Sequence, residues 1–192
     1  MNLNFFKTWF NVLIKPKETF QKEKKNVSIN KGVINYYIVF LFYFILWFII
    51  GYLLDSEYML KPIEQNAMIL LAVLVAPLAI TILVSIWQGI IALVSAAFKG
   101  KGKIEEQYYL ISLAFIPVIV IYSIKAMFLN SIDFEIKKWI DLLLFVYLMY
   151  LMVLALEETH QYGKIKAIIT VILSLVIILL PFFIFISLFT MT

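Results

Sequence analysis

The 192-residue chain is 64% hydrophobic and only 15% charged, which excludes a soluble domain, since the exterior of such a domain needs far more polar side chains. Its net charge is +4 and all 16 basic residues are lysine, so it lacks the guanidinium fork used in specific nucleic-acid recognition, and no nucleic-acid partner is expected. It contains no cysteine, which excludes disulfides and thiolate metal sites, and no cofactor is predicted.

The first predicted element is an amphipathic helix in the segment LNFFKTWFNVLIKP, which ends before Pro16. Four large apolar residues recur in it at helical spacing: Phe6, Trp9, Phe10 and Leu13. Such a helix is expected to lie in the headgroup layer of a membrane. Anionic lipid would add about 1 kcal/mol of attraction for each nearby lysine, here Lys22, Lys24 and Lys25. The alternative is a helix packed on the ends of the membrane spans, and both can hold at once.

Five apolar runs follow, each about long enough to cross a bilayer: residues 33–54, 67–98, 108–129, 139–156 and 165–189. The second run is longer than a hydrocarbon core requires, so it is expected to tilt, to kink near Pro77 or to extend beyond the bilayer. The sequence therefore predicts an all-α, polytopic membrane protein. It would be a bundle of five transmembrane helices (33–192) preceded by a cytoplasmic N-terminal segment (1–32) that contains the interfacial amphipathic helix.

The lysines are divided unequally between the two sides of these spans. With the N-terminus inside, twelve lysines fall on the cytoplasmic side and only Lys61, Lys137 and Lys138 fall on the other. The excess of positive charge predicts a multi-pass protein of the cell membrane with a cytoplasmic N-terminus and an external C-terminus. Because no small-residue cleavage site follows the first span, that span is expected to be a retained anchor.

The second span carries a stripe of small residues at helical spacing: Ser85, Gly89, Ala92 and Ala96. Small side chains let helix backbones approach closely in lipid. The stripe predicts that the second span is the centre of the bundle or the contact surface of a homo-oligomer.

Lys125 in the third span and Asp141 in the fourth lie at similar depths from the external side. Ionisable groups within spans are rare and usually pair with each other. The positions predict an intramembrane charge pair, and a lysine that reaches the interface is the alternative. With the three proline-interrupted spans, this pair supports a second hypothesis, a transporter or channel component for a small solute.

The stretch ALEETHQYGKIKA holds the only histidine. Glu157 and His160 have the spacing that places a carboxylate and an imidazole on one helical face, and Glu105 and Glu106 belong to the same side of the membrane. These four residues are weak candidates for a metal site and motivate a third hypothesis, a membrane-embedded metal-binding protein or enzyme. The alternative is a hydrated turn in which Gly163 ends the fourth helix.

Three segments in order resemble prokaryotic proteins of the Yip1-domain family: WFNVLIKPKETF, FKGKGKIEEQYYLISLAFIP and LEETHQYGKIKAI. The resemblance covers nearly the whole chain and implies a five-span membrane protein. Eukaryotic relatives associate with prenylated Rab GTPases. Their DLYGP and GY-rich motifs do not stand at the matching places here, so that role is not carried over.

The leading hypothesis is a non-enzymatic, Yip1-like membrane protein that organises membrane or binds partners through its lysine-rich cytoplasmic face. The expected partners are the lipid bilayer, including anionic lipids, an unidentified cytoplasmic protein and a second copy of the chain.

Overall fold

The computed structural model describes residues 4–54, 63–128 and 134–190, and within these ranges the chain is helical without strands. Seven α-helices follow one another, with a short 3-10 turn at Lys24–Asn26 after the second: α1 Asn4–Ile14, α2 Pro16–Glu23, α3 Ile29–Leu54, α4 Ile63–Ala97, α5 Ile104–Phe128, α6 Phe134–His160 and α7 Lys164–Thr190. Helices α3 to α7 are long and apolar enough to cross a membrane. The prediction of an all-α, polytopic membrane protein is confirmed.

The helices are longer than the apolar runs that predicted them. α6, for example, begins at Phe134 and ends at His160, whereas its apolar run covers only 139–156. The main-chain hydrogen bonds of a helix continue through the polar residues at its ends. Hydropathy identifies only the apolar part of the helix, so the predicted runs are shorter than the helices. α4 continues through Pro77 as one helix of 35 residues.

The five long helices form a closed ring of neighbours. α5 packs against α3 and α6, α3 also packs against α4, and α7 joins α4 to α6. α5 is the most buried of the five, because 72% of its apolar stretch is buried, compared with 22% for α4. The expectation that the second span is the centre of the bundle is therefore wrong. α5 is more buried than its neighbours because α1 and α4 also pack against it, in addition to α3 and α6.

Aromatic side chains fill the space where α3, α4 and α5 meet. The ring of Tyr36 lies edge-on to those of Tyr108 and Phe115, with centroids 5.5 Å apart in both pairs. Trp87 from α4 meets Phe115 in the same way at 6.2 Å. Edge-to-face contacts between aromatic rings stabilise such a core by more than the burial of their apolar area alone.

The N-terminal segment packs along the bundle and does not project from it. The Tyr147 hydroxyl donates a hydrogen bond to the main-chain oxygen of Leu13 at 3.0 Å. Tyr147 lies 13 residues before the end of α6, or about 20 Å along the helix. Since α2 packs on α6 and Lys24 contacts Glu158, the chain returns from this point to the end of α6. Val12 before this point and Phe20 after it are both fully buried.

Candidate functional site

One end of the bundle gathers most of the positive charge of the chain, and we call it the lysine-rich end. Here α3 begins, α4 ends, α5 begins, α6 ends and α7 begins, with α1 and α2 beside them. Its twelve lysines are Lys7, Lys15, Lys17, Lys22, Lys24, Lys25, Lys31, Lys99, Lys101, Lys103, Lys164 and Lys166, and all except Lys24 are exposed. Six carboxylates belong to the same end, Glu18, Glu23, Glu105, Glu106, Glu157 and Glu158, so its formal charge is 12 − 6 = +6.

Lys24 attaches the N-terminal segment to the end of α6. Its ammonium donates hydrogen bonds to the main-chain oxygens of Glu158 at 2.5 Å and Thr159 at 3.3 Å, and lies 3.9 Å from the Glu106 carboxylate. The last carbonyls of a helix lack partners within the helix and carry partial negative charge, so a cation is favourable there. Of the three lysines predicted at the membrane surface, Lys22 and Lys25 are exposed and Lys24 binds α6.

The amphipathic α1 divides its apolar residues between two surroundings. Phe6, Phe10 and Leu13 are 70%, 61% and 38% exposed and share one helical face. Trp9 packs against the core of the bundle, and Val12 is fully buried. One face is thus packed on the bundle while another remains open, so both arrangements considered for this helix are compatible with its geometry.

His160 is buried and ends a chain of polar side chains that crosses the bundle. Its Nε2 lies 3.0 Å from Gln107 Oε1. Gln107 Nε2 donates to the side-chain and main-chain oxygens of Gln88, and Gln88 Nε2 donates to the Tyr36 hydroxyl at 2.8 Å. Because the amide oxygen of Gln107 can only accept, His160 must donate from Nε2. This chain links α6, α5, α4 and α3.

The turn after His160 differs from the sequence prediction. Thr159 and His160 are buried, so a hydrated turn is wrong for these two residues. The prediction that Gly163 caps α6 is also wrong, because Gln161 takes the left-handed conformation (φ 54°). The oxygen of Gly163 instead accepts hydrogen bonds from Lys166 and Ala167, which places Gly163 at the start of α7. The imidazole is buried because Gly100 leaves room for it and Tyr162 stacks on it with ring centroids 5.3 Å apart.

The four weak metal candidates have different surroundings. Glu105 is exposed, Glu106 faces Lys24, Glu157 is half-buried and His160 is directed at Gln107. Among residues 4–54, 63–128 and 134–190, no group of three or more histidine or carboxylate residues is placed to hold a metal ion.

The structure brings together the two residues proposed as a charge pair. The Lys125 ammonium donates to the Asp141 carboxylate, and it also lies 5.4 Å from the centre of the Tyr122 ring. Their helices α5 and α6 are neighbours in the ring.

The small-residue stripe makes no close helix contact at its centre. A Cβ at Gly89 would meet no atom within 4 Å, and Ala96 is exposed. Ala92, between Gly89 and Ala96, is half-buried. At the first residue of the stripe, the Ser85 hydroxyl lies 2.5 Å from the Tyr108 hydroxyl.

Sequence reasoning missed the joining roles of Gln107, Gln88 and Tyr36. An uncharged polar residue inside an apolar run, such as Gln88, is the signal that points to such a role, because an amide in lipid-like surroundings needs a hydrogen-bond partner. The sequence alone does not identify that partner.

Comparison with known proteins gives a family match. The model of the family described as "Yip1 domain" matches residues 10–186, from within α1 to within α7. No curated protein and no solved structure matches the chain.

Proposed function

The chain belongs to the Yip1-domain family, and on that basis we propose that it is a non-enzymatic membrane scaffold whose lysine-rich end binds an acidic surface of a soluble cytoplasmic protein. Five spans fix the bundle in the bilayer. The open apolar face of α1 contacts the lipid around the bundle, from the headgroup layer to the depth of Tyr147. The excess of positive charge at the lysine-rich end favours a cytoplasmic location for that end.

The observation that carries this proposal is the concentration of eleven exposed lysines at one end of the bundle. They come from α1, α2 and the residue between them, from the 3-10 turn, from the start of α3, from the loop 98–103 and from the start of α7. A net charge of +6 over one face attracts an acidic partner over a distance of about 8 Å at physiological ionic strength. Each exposed pair would contribute little, so the patch acts through its summed charge.

The loops that bear these lysines are held in fixed positions. The main-chain N–H of Lys101 donates to the oxygen of His160 at 3.1 Å, and the N–H of Gly100 donates to the oxygen of Ser95 at 2.9 Å. Lys24 holds α2 against α6 at the same end. A partner therefore meets a charged surface that is already ordered, which lowers the entropic cost of association.

A non-enzymatic role is supported by how the polar side chains of the bundle are used. Gln107 bonds both His160 and Gln88, and Tyr162 covers the imidazole. These side chains join helices through hydrogen bonds and ring stacking.

The proposal is tested by photo-crosslinking in native membranes. A benzoylphenylalanine introduced at Lys101 should capture one protein repeatedly, whereas the same group at Lys137 should not. Capture should fall at least fivefold when Lys99 and Lys103 are both changed to glutamate, because the added negative charge repels an acidic partner.

The matched control is the pair K137E and K138E, which makes the same change of charge elsewhere in the chain. Equal capture from both crosslinker positions, or capture that is indifferent to K99E and K103E, would overturn the proposed function.

A further inference from the structure

A cavity of about 920 Å³ lies between the N-terminal segment and the sides of α3 and α5. Four lysines line it: Lys7, Lys15, Lys22 and Lys31. Thr8 and Asn11 add neutral polar groups, while Ile34 and Leu113 add apolar wall. Its volume lies in the range of pockets that hold small ligands.

The two carboxylates of the cavity lining are engaged by neighbouring side chains. Glu18 lies 3.7 Å from the Lys15 ammonium. Glu23 accepts hydrogen bonds from the Tyr109 hydroxyl at 2.8 Å and from the Thr8 hydroxyl at 3.3 Å. The carboxylates are therefore held at the wall, and the formal charge of the lining is 4 − 2 = +2.

Lys7 and Lys22 supply the positive charge that these carboxylates do not offset. Both are exposed, and neither forms an ion pair with a residue in the described part of the chain. Lys31 donates to the main-chain oxygen of Asn26 at 2.7 Å and lies 6.0 Å from the centre of the Tyr109 ring. Three ammonium groups are thus available to an anion from three different elements, α1, α2 and α3.

The cavity continues into exposed apolar surface on α3. Ile34 belongs to the cavity wall and is 46% exposed, and its neighbour Val33 is 39% exposed. A ligand that fits this surface has an anionic head beside lysines and an apolar chain beside α3.

We propose that this cavity binds the phosphate-bearing headgroup of an anionic phospholipid, with the acyl chains leaving past Ile34 along α3. The phosphate oxygens accept from the ammonium groups of Lys7 and Lys22, because charged donors make the strongest bonds to such oxygens. The site shares Lys7 and Lys22 with the lysine-rich end. It does not use the loop 98–103, on which the crosslinking test of the proposed function rests.

The test uses the full chain purified in detergent and measures bound lipid by native mass spectrometry. Mixed micelles supply either phosphatidylglycerol or phosphatidylcholine. The wild-type chain should retain phosphatidylglycerol in preference. The double variant K7Q and K22Q should reduce that retention about tenfold, whereas the control K99Q and K101Q, with the same loss of charge, should stay within twofold of wild type.

A second variant tests the apolar part of the site. Ile34→Gln keeps every lysine and should still lower phosphatidylglycerol retention several-fold, because it makes the exit for the acyl chains polar. Equal losses in the two lysine pairs would show bulk attraction and overturn the proposal, as would equal retention of the two lipids.

Millimolar inorganic phosphate distinguishes the source of the phosphate group. Retention of phosphatidylglycerol that survives this competitor supports a lipid, whereas full displacement assigns the site to soluble phosphate and overturns the proposal. Failure of this test would leave crosslinking at Lys101 unchanged, so the two proposals fail separately.

Discussion

The imidazole of His160 occupies the space that a side chain at Gly100 would need, since a Cβ there would lie 2.6 Å from Nδ1. This contact joins the loop after α4 to the last turn of α6. The next residue repeats the connection through the main chain, where Lys101 N–H donates to His160 O. The lysine-rich end is therefore organised around a glycine and a histidine.

Gly100→Ala should lower the thermal unfolding midpoint of the purified protein by several degrees, because the added methyl group overpacks the His160 ring at a cost of about 1–3 kcal/mol. Gly89→Ala is the matched control, since its Cβ would meet nothing within 4 Å and alanine favours the helix. Differential scanning fluorimetry measures both. Equal midpoints for the two variants would contradict the packing of His160 against Gly100.

Gln107→Leu should also destabilise the protein, because it leaves the Gln88 oxygens and the His160 N–H without their shared partner. An unsatisfied buried polar group costs about 1–3 kcal/mol. The same substitution at the exposed Gln21 should change the unfolding midpoint little. If Gln107→Leu is as stable as Gln21→Leu, the polar chain does not hold these helices together.

Lys24→Met should loosen the N-terminal segment, because it keeps the aliphatic stem and removes the ammonium that binds Glu158 and Thr159. Hydrogen–deuterium exchange of residues 16–26 should become several-fold faster. Lys25→Met, which removes the neighbouring exposed charge, serves as the control. Unchanged exchange in the first variant would mean that burial of Phe20 alone holds α2 in place.

The Lys125–Asp141 pair should behave as one unit in a double-mutant cycle. Lys125→Met or Asp141→Leu alone leaves one charge without its partner, whereas the double variant leaves none. We therefore expect the double variant to unfold at a higher temperature than either single variant. Strictly additive losses would show that the two charges do not interact.

The cysteine-free chain makes the proposed orientation directly measurable. K101C should react with a membrane-impermeant maleimide only after the cells are opened, whereas K137C should react in intact cells. Both positions are in the described structure, and the chain has no other cysteine that could react with the maleimide. Labelling of the two from the same side would contradict the proposed topology.

The sequence predicted the spans because a run of about 20 apolar residues is stable as a helix in the hydrocarbon core of a bilayer. It also predicted the break at Pro16, which ends α1 and starts α2, and it identified Lys125 and Asp141 as partners. These features depend on the chemical type of each residue and on its distance along a helix. Both can be read from the order of residues.

The rotation of each span about its own axis was not predictable in the same way. α5 and α4 are apolar on all sides, so no periodic pattern indicates which face is buried or which helix is central. Small residues at Ser85 and Gly89 therefore pointed to α4, although α5 is the buried helix. The His160 and Lys24 contacts depend on residues 53 and 134 positions away, respectively, and only the assembled bundle brings these together.

The length of α4 exceeds the thickness of the hydrocarbon layer. Its 35 residues measure about 52 Å, and a tilt of 40° still leaves about 40 Å along the bilayer normal, against about 30 Å of hydrocarbon. Roughly two helical turns must then stand outside the acyl chains. A helix that emerges from the lipid by this much carries its attached loop through the headgroups to the aqueous phase, where a protein too large to enter the interface can still reach it.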